Sequence, residues 1–519
     1  MSTLRPAVDR AAILERQAAR ESGARTYARW LDVVPVRGHG MEIEAADGRT
    51  YLDALSGAGA LALGHDHPVP RAAIEGALAA GRPMQLLDAA SPERDAFTTA
   101  LLDSLPAGLR ARDPRVQFCS PSGADAVEAA VKLCQTATGR RGVLACTGGY
   151  HGMTLAALQL TGATAPGLAV TGGGLPVTRI PFPAPYRCPF GTGDRGALAA
   201  AYLERLLDDA SGGVEPPAML LVEPVQGEGG IHPAPHAWLR EVRRITAERG
   251  IALAVDEVQA GVGRTGSMWA HEQAGIVPDA MVVSKAVGGG LPLAAVVYAG
   301  ELDAWAPGAH AGTFRGTTLA LAAGAATLEH VRAEGLAARA AALGEGLLTT
   351  LRAAAGSRPQ IGDVRGRGLM AGVELVDPGK PARRARHPPG VARARRGRTR
   401  SLPGGRVDRR ARRPGRHRAA TAATARRDRG AAHDGRRDRH RRRRHRERAG
   451  LRMSVAFADD ERALTALLAA AVEALAAGRD ARGGPCRLLH PTPRATCCVA
   501  PPARRSPPRG WAMPTPCTD

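Results

Sequence analysis

Aromatic side chains are scarce in this chain: Phe, Trp and Tyr make up 3% of its 519 residues. Hydrophobic residues still reach 44%, so a large core is available, but it has to be built mainly from Ala, Leu and Val. No run of about 18 or more apolar residues occurs, which argues against a membrane-spanning helix. Residues 1–25 mix Arg with Asp9, Glu15 and Glu21 and carry no apolar stretch. We therefore expect no secretory leader and a cytoplasmic protein without membrane partners. GxxxxGK[ST], HExxH and GxSxG are all missing, so the chemistries built on those spacings are not indicated. No internal repeat is present. The length suggests roughly two to four domains.

Negative charge is lacking in one place only. The formal net charge is +22, and residues 381–450 hold 27 Arg and no Lys against four Asp and one Glu. That stretch carries the whole excess, and the rest of the chain is balanced. Such Arg density could hold nucleic acid electrostatically, with strong salt dependence. Without aromatics or a folded motif it could not read a base sequence, and a solvated, disordered segment is the simpler reading. The eight Cys divide in the same way. Cys119, Cys134, Cys146 and Cys188 are scattered through the body at no metal-ligand spacing, and Cys486, Cys497, Cys498 and Cys517 lie in a Pro/Arg-rich tail. Reduced thiols are expected, with no disulfide framework and no metal site.

The body shows regular patterning. A helix begins near residue 10, and an irregular entry segment follows to about 35. Short strands at 41–43 and 50–52 flank Asp47-Gly48, a hairpin signal. Residues 57–68 form a glycine-rich loop. Between about 90 and 310, short apolar runs alternate with helical periodicity: VQFCS (116–120), GVLACT (142–147), AMLLVEPV (218–225), IALAVDEV (251–258) and AMVVSK (280–285), with helices at 92–105, 124–137 and 236–250. This alternation predicts an α/β fold with a mainly parallel sheet covered on both faces. Residues 317–355 read as two helices and 362–375 as a strand pair. An amphipathic helix is expected at 459–475.

Two apolar runs end in ionisable residues, Asp256 and Lys285. In parallel sheets, ligands bind at the carboxyl ends of strands. A buried Asp beside a Lys there matches the needs of pyridoxal 5'-phosphate (PLP): an amine for Schiff-base attachment and a carboxylate to keep the pyridine nitrogen protonated. Taken alone, the pair reads equally as a structural ion pair. Pro121-Ser122-Gly123-Ala124 joins a strand to a helix, where backbone N–H groups and the helix dipole suit a phosphate; an ordinary turn would look the same. Tyr150-His151-Gly152 follows another strand and offers an aromatic for stacking. Residues 261–266 fit GxGxxG but lack the following helix, strand and acid of a dinucleotide site. His65-Asp66-His67 reads as a turn before it reads as a metal site.

In order, SGADAVEAA, GGYHGMTL, LVEPVQGEGG, VDEVQAGVGRTG, SKAVGGGLPLAAV and AGTFRG resemble the class III PLP-dependent aminotransferases, over about residues 21–375. ESGARTYAR, SGAGALALGHDHP, YRCPFG, PGAHAGTFRG and IGDVRGRGLMAGVEL are most similar to the diaminobutyrate–2-oxoglutarate transaminase subfamily. The resemblance implies fold type I: a large domain (81–320) with a smaller α+β domain drawn from both chain ends (1–80, and 321–376 with 455–478). It implies that Lys285 carries PLP and moves the proton, and that Asp256 keeps the ring an electron sink. Val258 and Tyr150 would pack on the ring faces, Gln259 would bond the ring hydroxyl, and Gly123 and Ala124 would bind phosphate in the Ser122 loop. His151 would also lie at the cofactor. Thr313 would complete the phosphate site of a partner subunit in a homodimer. Glu228 would be the acid that pairs with a C-terminal Arg and swings away for 2-oxoglutarate. An amino donor and a 2-oxo acid are the implied substrates: L-2,4-diaminobutyrate with 2-oxoglutarate or, in the reverse direction, aspartate 4-semialdehyde with glutamate. Ornithine, acetylornithine or 4-aminobutyrate are the alternative donors.

The pattern breaks after Val376. The smaller domain should continue through strands and a carboxylate-binding Arg, yet 377–454 is Arg, Ala, Pro and Gly. That is the composition of a GC-rich gene read out of frame. We expect a frameshift near 377–380, with the frame restored shortly before Asp459. Residues 479–519 are expected to be a disordered or out-of-frame tail. A chain impaired by this break, folded but unable to turn over, is a further alternative.

Overall fold

The computed structural model describes residues 9–25, 32–162, 174–191, 193–376, 378 and 450–454. Its centre is a seven-stranded sheet: β1 Arg115–Phe118, β2 Val143–Cys146, β3 Val177–Ile180, β4 Met219–Val222, β5 Ala252–Asp256, β6 Ala280–Val283 and β7 Ala295–Tyr298. The order is β1-β7-β6-β5-β4-β2-β3. All neighbours run parallel except β7, which is antiparallel to both β6 and β1. Every residue of β2, β4, β5, β6 and β7 is buried, because helices cover both faces. This is why those runs read as continuously apolar. Each fully buried Val or Leu contributes about 1.5–3 kcal/mol by removal from water, so many small aliphatic side chains replace the missing aromatics.

Local sequence sets the element ends. Ser122 caps the helix Gly123–Thr138, its hydroxyl accepting from the Ala124 N–H, and Gly139 ends that helix at φ 67°, a conformation that costs glycine least. Gly335, at φ 59°, divides the expected helical stretch into Thr318–Ala333 and Leu336–Gly356. His67 caps the helix Pro68–Ala79 and His65 bonds Asp53, so the His65-Asp66-His67 motif serves the turn. Residues 261–266 form turns, followed by a short 3-10 helix at Ala270–Ala274 and not by the α-helix that a dinucleotide site requires.

Two strands of the central sheet escaped the sequence reading. β3 mixes Thr178 and Arg179 with apolar residues, and β7 follows a glycine-rich turn whose breakers mask a short apolar run. A three-stranded antiparallel sheet at Pro35–His39, Glu42–Ala45 and Thr50–Leu52 contains the expected hairpin. The pair Ile361–Arg367 and Met370–Leu375 also forms. It gains a third strand, Gly450–Ser454, with Met370 opposite Ser454 and Glu374 opposite Gly450. This corrects the limit of the patternless segment, set above at 454. Leu451 and Met453 alternate with Arg452 and Ser454, a strand period that the preceding Arg run concealed. Residues 381–449, the helix expected at 459–475 and the tail 479–519 lie outside the described residues. Among the described residues, no helix is long and apolar enough to cross a membrane.

Candidate active site

Asp256 ends β5, Glu223 directly follows β4, Lys285 lies two residues beyond β6 and Tyr150 four residues beyond β2. All four stand at the carboxyl edge of parallel strands. In the β4–β5 register Val222 pairs with Val255, so the next residues, Glu223 and Asp256, fall side by side. Successive side chains alternate in direction. Asp256 therefore faces the cavity, and Glu257 buries against His271, its Oε1 2.9 Å from the ring Nδ1.

One cavity of about 410 Å³ collects these groups. Lys285, Asp256, Tyr150, His151 and Val258 line it, as do Gln259, Glu228 and the Ser122-Gly123-Ala124 turn. Thr313 does not: it is exposed, next to the exposed Phe314.

Asp256 is 4% exposed. Its Oδ2 lies 2.7 Å from His151 Nδ1 and its Oδ1 accepts from the Val258 N–H at 3.1 Å. No ion pair joins Asp256 to Lys285, so the structural ion pair considered from sequence is not formed. Burial pulls the Lys285 amine below the usual lysine range, with Glu228, Asp256 and Glu223 opposing. Lys285 also has φ 53°, a left-handed backbone that costs a non-glycine residue about 1–2 kcal/mol and concentrates at functional sites.

Glu223 was missed by the sequence reading, although an acid directly after the apolar run MLLV carries the same signal as Asp256. It is buried, and its two carboxylate oxygens accept from the Tyr150 and Gly227 N–H groups at 2.9 and 3.0 Å. Burial pushes its carboxyl up to about 7. Gln259 Nε2 donates to the Ala58 carbonyl and approaches Glu228 Oε1 at 3.5 Å. Burial, with Glu228 adding to it, raises the Tyr150 phenol.

The class III aminotransferase profile matches residues 23–399. The chain belongs to the class III aminotransferase family. The aminotransferase is 51% identical over 384 residues to a diaminobutyrate–2-oxoglutarate aminotransferase of Rhizobium meliloti, covering 73% of this chain and 81% of that protein. It is 47% identical over 367 residues to the Haemophilus influenzae protein of the same name, covering 70% and 80%. Among solved structures, a thermostable (S)-enantioselective omega-transaminase from Thermomicrobium roseum matches with TM-score 0.64 at 28% identity, covering 72% of this chain and 85% of that one. An amine transaminase from an uncultivated Pseudomonas species, in its PLP-bound form, matches with TM-score 0.62 at 28% identity, covering 69% and 83%.

The cofactor of this aminotransferase is PLP. The residues present fit it. A buried carboxylate, an amine and a helix N-terminus surround one cavity, and glycines keep side chains out of the space beside that helix N-terminus. A Cβ on Gly123 would come within 3.2 Å of Val258, and one on Gly152 within 2.4 Å of the Ala124 Cβ. A metal is less well served. Among the described residues, ligand atoms of Cys119, Asp125 and His310 lie within 4.8 Å of one another. However, Lys132 Nζ stands 3.2 Å from His310 Nδ1, and burial pushes the Cys119 thiol up. Both oppose a cation.

Proposed function

We propose that this chain transfers the ω-amino group between L-2,4-diaminobutyrate and 2-oxoglutarate, forming aspartate 4-semialdehyde and glutamate, and runs in reverse for biosynthesis. The meeting of Lys285 and Asp256 in one buried cavity carries the chemistry. The named activity of the relatives supports the choice of donor. Bound PLP supplies covalent capture of the amino group and an electron sink.

The protein's own residues do the rest. Lys285, its amine drawn toward the neutral form, attaches the cofactor and carries a proton at Nζ. Asp256, held by His151 and the Val258 N–H, presents a fixed negative charge to the ring nitrogen. Val258 and Tyr150 confine the ring faces and Gln259 reaches the ring hydroxyl. The Gly123 and Ala124 N–H groups, at the positive end of their helix, receive the phosphate. Glu228 stands beside Gln259 and Lys285 as the acid that selects between substrates. Thr313, exposed on this subunit, serves the phosphate of a partner in a homodimer. In this reading residues 81–320 form the cofactor-binding domain, 1–80 and 321–376 with 455–478 form the smaller one, and the enzyme works in the cytoplasm.

The test is a donor panel with 2-oxoglutarate, run beside Lys285→Ala. Diaminobutyrate should be preferred over ornithine, one methylene longer, by about 10–200-fold in kcat/KM. Lys285→Ala should lose the visible absorption of covalently held PLP. Preference for ornithine, acetylornithine or 4-aminobutyrate would reassign the substrate. A coloured but inactive wild type would identify an impaired enzyme.

A further inference from the structure

Thr313 is exposed, yet the chain on either side of it is held down. On one side the His310 side chain, 8% exposed, has Nε2 3.2 Å from Asp125 Oδ2 and Nδ1 3.2 Å from Lys132 Nζ. Lys132 Nζ also donates to the Ala309 carbonyl at 2.6 Å, and Trp305 stacks on the imidazole with ring centroids 6.4 Å apart. Gly312 packs so closely on Ser120 that a Cβ would come within 3.0 Å of its hydroxyl. On the other side Arg315 donates to the His310 carbonyl at 2.8 Å and to Asp88 at 2.7 Å. Thr313 is thus the exposed apex of a short bight clamped at both ends. The clamp stands on one element. Asp125 lies in the first turn of the helix Gly123–Thr138 and Lys132 further along it; seven residues apart, they share a helix face. The Asp125 oxygen that meets His310 also accepts from the Ser120 N–H at 2.8 Å, just before the Ser122 turn. None of Asp125, Lys132 and His310 lines the cavity.

We propose that His310, with Asp125 and Lys132, is a positioning device that acts in trans: it holds the 309–315 bight so that Thr313 reaches the phosphate of the cofactor bound by a second copy of the chain. The proposal rests on the homodimeric PLP reading above and adds the residues that make the bridge. A hydroxyl on a loose bight would lose conformational freedom on meeting the phosphate. The clamp removes that cost from the binding step, because the bight is already fixed in the folded subunit. The same helix offers its N-terminus to this subunit's own phosphate, so one rigid element serves both sites.

The test uses hybrid dimers in which one subunit carries Lys285→Ala, so that only the other holds PLP covalently and absorbs in the visible. PLP affinity is read from that absorption and needs no turnover. In the first hybrid His310→Ala is placed on the Lys285→Ala subunit, and the coloured site draws Thr313 from a released bight. Its affinity should fall about ten-fold, the worth of about one hydrogen bond to a charged group. In the second hybrid His310→Ala is on the coloured subunit, whose Thr313 comes from an intact bight, and affinity should stay within about two-fold of wild type. Pyridoxal, which lacks the phosphate, should bind the first hybrid as it binds wild type; a general structural defect would weaken both ligands. Thr313→Ala on the Lys285→Ala subunit should give a loss that His310→Ala in the same subunit does not deepen. Equal affinities in the two hybrids, or a loss confined to the second, overturn the proposal. If His310→Ala does not fold, Lys132→Met, at an exposed position, replaces it: a smaller loss in the first hybrid alone supports the proposal, and any other pattern overturns it. A wild type that binds PLP through Lys285 as a monomer removes the homodimer reading, and with it the proposal; one without Lys285-dependent colour removes the cofactor reading. Both are distinct from two hybrids that respond alike.

Discussion

Gly152→Ala offers a sharp probe of the cofactor site. Gly152 follows Tyr150 and His151 and sits at φ 130°, where a side chain is strained by about 1–3 kcal/mol. The new methyl would lie 2.4 Å from the Ala124 Cβ, 2.9 Å from its Cα and 3.1 Å from the Ala157 Cβ. Carbon pairs pack best at about 3.5–4.0 Å, so the helix turn bearing Ala124 has to move. Overpacking of this kind costs about 1–3 kcal/mol. Together the two effects predict a loss of about 2–6 kcal/mol in unfolding free energy, a large share of the roughly 5–15 kcal/mol typical of a folded protein. PLP affinity should fall as well, since the displaced turn is the one proposed above to hold the phosphate. Urea unfolding and a PLP absorption titration measure both. Adding Ala124→Gly removes the closest contact but leaves the backbone strain, so the double variant should recover part of the loss, with a coupling of about 1–3 kcal/mol. A Gly152→Ala protein within about 0.5 kcal/mol of wild type, a change typical of neutral surface sites, would refute the reasoning.

Glu223 also makes stability depend on pH. Its folded-state value, about 7, lies above its ordinary value of 4.5, so its contribution is complete below about pH 4.5 and lost as pH rises toward 7. The difference between wild type and Glu223→Gln in urea should shrink by a few kcal/mol across that window (about 1.4 kcal/mol per unit); a constant difference would contradict the assignment. Asp279 accepts from Arg112, Arg243 and the Leu253 N–H, and Asp279→Ala should cost about 3–5 kcal/mol with PLP affinity unchanged per folded molecule. Glu374 lies opposite Gly450, so a short Asn-Gly turn replacing residues 377–449 can join the two strands. That variant should keep the thermal midpoint and PLP binding of wild type and lose low-salt retention on DNA; failure to fold would show that the segment is needed.

The fold class was legible because a parallel sheet covered on both faces demands short, wholly apolar strands, and runs such as MLLV and AMVV cannot be much else between amphipathic helices. β3 and β7 were not legible, since their pairing partners lie far away in sequence and their local patterns are short or polar. The same limit applies to Gly450–Ser454, which only its partner Met370–Leu375 defines.

At the site, the sequence by itself determined which chemical groups could meet: an acid and an amine ending buried strands, a capped helix start and a following aromatic. Motif order supplied the family. Only the tertiary structure decided how they meet. Asp256 bonds His151 and leaves Lys285 unpaired because strand alternation and the β4–β5 register fix where each side chain points. Glu223 becomes a near-neutral acid because packing, which no local pattern records, strips it of water beside another carboxylate.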